Sequence, residues 1–202
     1  MTYSFVKNLS YMGMVFSRPR RLLSGLLNET SLWYGIVPAA ISEILYVILG
    51  WWNYFTQPQL GWSLNPVARA FELSKRQMSF IQAAAHPLAG VVDVFLFAAI
   101  VYGAARLLGA SSLYLRAWLM GYLFLWGTFS CLAVMVDLAI SHPPFDWNLK
   151  NLMYVHHLAA LVTIAYLLEF IHRKGAVDRW KSAVITISGY IVVLVSRVVF
   201  IP

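Results

Sequence analysis

The stretch DLAISHPPFDWNLKNLMYVHH, Asp137–His157, closes one long apolar run and opens another, with Pro143 and Pro144 between them. Paired prolines cannot carry a helix forward, so the two runs are read as antiparallel neighbours joined by a turn. The same stretch places an acid, Asp137, and three histidines, His142, His156 and His157, at or near the rims of apolar segments. The nature of those segments decides the fold.

Composition answers that question. The 202 residues are 60% hydrophobic and 11% charged, with a mean hydropathy of +0.69, whereas about a quarter of a soluble domain is charged. The apolar runs are continuous rather than alternating, which selects helices over a barrel. The expected fold class is therefore all-α, a polytopic membrane helical bundle. The net charge of +7 comes from basic residues that flank the apolar runs. There they set topology and meet the bilayer's anionic lipid head groups, not nucleic acid. Cys131 is the sole cysteine, which excludes an intramolecular disulfide and a cysteine-based metal motif. No small-residue cleavage site precedes Arg18, so no removable leader is expected.

Working outward, the runs on either side of the quoted stretch cover about Leu113–Ile140 and Leu152–Ile171. Further apolar runs cover about Ser31–Trp52, Pro87–Leu108 and Ser182–Phe200, which predicts five transmembrane helices. Residues 1–30 form an amphipathic interfacial segment: Phe5, Leu9, Met12 and Phe16 recur at helical spacing, and PRRLLSGLL resumes with Ser17 as cap and Pro19 in the first turn. Residues 31–202 form the membrane domain. Within it, Asn65-Pro66 starts a surface helix over 65–86 on the outer face, GASS makes a turn, and HRKGAVDRWK makes a charged loop. Basic residues concentrate before the first span, around Arg106 and Arg116, and from Arg173 to Lys181. The positive-inside rule then puts the N-terminus in the cytoplasm and the C-terminus outside or in a lumen.

This topology gathers ionisable residues into one layer. At about 1.5 Å per residue, Glu43, Asp93, Asp137, His156, His157 and Arg197 fall roughly 5 to 15 Å below the outer ends of their helices. Charges inside a membrane are expensive, and they pair with one another or line a polar cavity. Three explanations compete: structural pairs that specify the bundle, a site for a divalent metal such as zinc or manganese, and a relay or pocket for protons or a small solute. The candidate metal ligands are Glu43, His86, Asp93, Asp137, His156 and His157. No HEXXH motif is present, and neighbouring histidines cannot share a helix face. Nothing identifies a nucleophile, so an enzyme is not expected.

Three stretches, FSRPRRLLSGLL, LLGASSLYLRAWLMGYLFLWGTF and HRKGAVDRWKSAVITISGYIVVLV, resemble the Yip family of five-span membrane proteins, which interact with Ypt/Rab GTPases in eukaryotes. The resemblance implies the five-span fold and a role as a membrane scaffold or interaction protein, with protein partners or a homo-oligomer. Only about thirty residues precede the first span, which looks more like the family's prokaryotic branch and implies an inner-membrane location. No functional residue comes with the resemblance. The alternative class is a small transporter or a metal-binding membrane protein that uses Glu43, Asp93, Asp137 and His157.

Overall fold

The computed structural model describes residues 3–56, 75–110, 112–140 and 149–200. Among them are seven helices and no strand: α1 Phe5–Ser17, α2 Pro19–Leu27, α3 Trp33–Thr56, α4 Lys75–Leu107, α5 Leu115–Ile140, α6 Leu149–Gly175 and α7 Arg179–Phe200. The fold is all-α, as composition requires. Gly90–Leu107 in α4 and Leu115–Val136 in α5 are long and apolar enough to cross a membrane, and Trp33–Leu49 in α3 is apolar over a shorter length.

The five long helices alternate in direction. Trp51 stacks edge-on against Phe80 at 5.5 Å, while Glu43 meets Gly90, so α3 and α4 are antiparallel. Phe129 packs on Tyr166, and Gly121 lies under the ring of Phe170, so α5 and α6 are antiparallel too. Helices α3 and α5 run parallel and make the most extensive contact of the bundle. Their closeness is glycine-made: a Cβ on Gly35 would stand 2.5 Å from the Met120 carbonyl, and one on Gly127 would stand 2.5 Å from the carbonyl carbon of Pro38. Small residues let helix backbones approach in this way. Helix α5 is the centre, with Trp118, Phe124, Leu125 and Val134 fully buried.

Helix ends depart from the sequence reading in three places. The 65–86 surface helix is not a separate element over its described part, because α4 runs unbroken from Lys75 through His86 and Pro87 to Leu107. A proline removes one backbone bond without ending a helix whose other bonds persist; residues 57–74, including Asn65-Pro66, lie outside the described residues. The charged loop shrinks to Ala176–Asp178, because His172–Gly175 is the last turn of α6. Ser17 closes α1 by donating to the Gly13 carbonyl at 3.2 Å, and Arg18 occupies the cap position ahead of Pro19. Gly103, in the interior of α4, faces open space.

Helices α1 and α2 pack beneath the bundle; α2 buries Leu22, Leu23 and Leu26, whereas α1 also turns large apolar side chains outward. Asn8, Tyr11 and Val15 of α1 are buried, while Phe5, Val6, Leu9 and Phe16 face outward. The Tyr166 hydroxyl donates to the Val15 carbonyl, and Lys174 Nζ donates to the Leu27 carbonyl at 2.6 Å. Both bonds reach from α6 to the N-terminal pair, and the second satisfies a carbonyl that the end of α2 leaves open.

Candidate functional site

A cavity of about 150 Å³ lies where all five long helices are near mid-length. Its lining comes from Tyr46 on α3, Asp93 on α4, Trp126 and Ser130 on α5, Thr163 on α6 and Tyr190 on α7, among others. The gap has a sequence cause. Ser130 and Ala133 on α5 and Ala159, Ala160 and Thr163 on α6 are small residues at three-to-four spacing, so each helix presents a small-residue face there. Phe97 and Tyr122, whose rings stack at 4.5 Å, form part of the wall, and Trp118 stacks on both from behind.

Asp93 is 7% exposed. Gly90, three residues earlier, shares its face of α4. A Cβ on Gly90 would stand 2.9 Å from Glu43 Oε1, so the absence of a side chain is what admits the Glu43 carboxylate from α3. The structure thus brings two of the six sequence candidates, Glu43 and Asp93, to one wall. His86 lies in α4, Asp137 in the last turn of α5, and His156 and His157 within the first turns of α6; their side chains, Arg197's and the whole of His142 lie outside the described residues. Glu43 sits near mid-length because α3 runs on to Thr56 rather than Trp52, and Asp93 because α4 begins at Lys75 rather than Pro87, whereas Asp137 lies near a helix end.

Among the described residues no three His, Cys, Asp or Glu side chains come together to hold a metal ion. The lining supplies instead one carboxylate, hydroxyls and aromatic faces, a set that recognises a solute by hydrogen bonds, charge and stacking.

A second polar cluster, which the sequence reading missed, joins α1 to the α2–α3 connection. Glu29 is 3% exposed; it pairs with Lys7 Nζ at 2.5 Å and accepts from the Tyr11 hydroxyl at 2.8 Å. Lys7 also lies over the rings of Tyr11 and Tyr34. The Glu29 bond holds the Lys7 ammonium well above its ordinary range, against the opposing effect of burial. Burial, reinforced by Glu29, pushes the Tyr11 phenol up. The available signal was an acid placed just after a basic amphipathic segment, with Lys7 and Tyr11 one turn apart. No family model, curated protein or solved structure matches this chain.

Proposed function

We propose that the protein is a five-span membrane protein of the Yip type that holds a small solute in its mid-bundle cavity, with its N-terminus in the cytoplasm of a prokaryotic inner membrane. The observation that carries this reading is an inverted distribution of polarity. At mid-bundle the inside offers Asp93, Ser130 and Thr163 to a cavity, while Ile44, Phe95, Leu161 and Ile187, on four of the five long helices, are exposed on the outside, and Met135 is exposed toward the end of the fifth. Large apolar side chains exposed on several sides at one depth are unfavourable against water and suit lipid tails. The 24, 33, 26, 27 and 22 residues of the five helices each exceed or match the roughly 20 residues that a bilayer core needs. Their alternating directions make each one a crossing.

Of the two classes left open by the sequence, a scaffold specified by structural pairs and a solute-handling protein, the cavity favours the second. Scaffolding needs no void, whereas transport folds place their substrate near the bilayer midplane, where broken packing and buried charge are otherwise costly. Helices α1 and α2 lie in the interface, with Phe5, Leu9 and Phe16 toward the acyl region and the exposed Arg18, Arg20 and Arg21 available to anionic head groups.

Cysteine accessibility tests the reading. In a Cys131→Ala background, Ser130→Cys and Thr163→Cys should react with a small water-soluble thiol reagent in intact vesicles, while Ala98→Cys should not. Unreactive cysteines at both cavity positions in a folded protein would leave the cavity sealed and the solute reading wrong.

A further inference from the structure

The geometry points to a small organic ammonium ion, such as a quaternary amine, as the solute of the mid-bundle cavity. This rests on the reading of the cavity as a solute site and goes further by naming the chemical class. Three observations lead there. Asp93 lines the cavity, and no lysine, arginine or histidine is among the described lining residues. A second carboxylate, Glu43, stands behind the same wall at Gly90. A region of low dielectric with this sign of charge favours a cation over a neutral or anionic guest.

The rest of the wall decides which cation. Tyr46, Phe97, Tyr122, Trp126 and Phe129 all contribute to it, and aromatic faces attract the diffuse positive charge of an alkylated ammonium. A bare metal ion asks for several oxygen or nitrogen ligands at short range, and mostly aromatic and aliphatic walls do not supply them. The volume agrees as well: a cavity of about 150 Å³ is the size that accepts a benzene-sized guest. Tetramethylammonium and choline are close to that size, so one ion fills the space with its methyl groups on the rings and its charge opposed to Asp93.

The test is calorimetric titration of the full chain in detergent with tetramethylammonium, with choline and with the uncharged carbon isostere of choline. Both ammonium ions should bind at one site, and the isostere should bind at least about tenfold more weakly, the measure of a charge contribution in equal volume. Asp93→Asn should remove that preference. Should this variant fail to fold, as judged by its melting profile, Trp126→Leu provides the second arm and should weaken the ammonium ions several-fold more than the isostere. Equal affinity for the isostere would overturn the ammonium assignment. Absence of all binding while Ser130→Cys and Thr163→Cys remain reactive would overturn it too and leave the solute cavity standing; unreactive cysteines would remove both.

Discussion

Gly109 and Ala176 end α4 and α6 in the same left-handed conformation, with φ of 89° and 51°. After α4 the Ala110 N–H bonds to the Ala105 carbonyl at 2.8 Å and the Gly109 N–H to Arg106 at 3.3 Å, the paired bonds of a Schellman ending. Glycine takes that conformation without strain, whereas a side chain makes it cost roughly 1–2 kcal/mol. Gly109→Ala should therefore lower stability by about 1 kcal/mol, and Ala176→Gly should raise it by up to about 1 kcal/mol. Thermal melts of the two variants in one detergent check both signs. The first turn was legible as GASS. The second was not, because Gly175 sits beside the residue that actually turns, and a sequence pattern cannot say which of two neighbours leaves the helix. A position fixed by space rather than angle behaves differently. At Gly127 an added Cβ meets the backbone of Pro38 and Ala39, which has no rotamer to yield. Gly127→Ala should thus destabilise by about 1–3 kcal/mol, as overpacking does, and should do so more than an alanine at Gly103.

At the scale of elements, α1 is held by contacts that its amphipathic pattern does not reveal. Periodicity identified the helix and its apolar side but left the polar side, Lys7, Asn8 and Tyr11, without a partner to face. The partner is Glu29, far along the chain and silent in any helical count. The pair is asymmetric: the Glu29 side chain is 1% exposed and that of Lys7 is 44% exposed. Lys7→Met leaves a buried carboxylate with Tyr11 as its remaining donor, whereas Glu29→Gln leaves a lysine that water can reach. Loss of one partner is costly chiefly through the charge left buried, so Lys7→Met should loosen α1 more. Amide exchange along Phe5–Ser17 measures this, and greater exchange in Glu29→Gln would contradict it. The pH response follows from the same cluster. Lys7 and Tyr11 both titrate higher in the folded state than their ordinary 10.5 and 10.0. The folded state therefore holds extra protons at alkaline pH, and their contribution is complete below pH 10 and fades as pH rises beyond it. Docking of α1, followed by fluorescence of a probe at Phe5, should accordingly be flat through neutral pH and weaken on the alkaline side.

For the whole molecule, the apolar runs and basic flanks carried the helical class and the approximate positions of the long helices. The centre was harder to read, because depth depends on where helices begin. Starting α4 at Pro87 put Asp93 near an end, and starting it at Lys75 puts Asp93 in the middle. The cavity itself is a collective property: Ala133, Ala159 and Thr163 are unremarked small residues until two helices bring them together. Its persistence is informative about function. A space of about 150 Å³ forgoes packing worth roughly 3–4 kcal/mol in a core that could close it, and one leucine in place of an alanine could close much of it. Ala133→Leu and Ala159→Leu should consequently raise the melting temperature while abolishing the reaction of Thr163→Cys with small thiol reagents, the trade of stability against use expected of a binding void. If both variants instead melt lower, these walls are already filled to capacity, and the space between them serves packing alone.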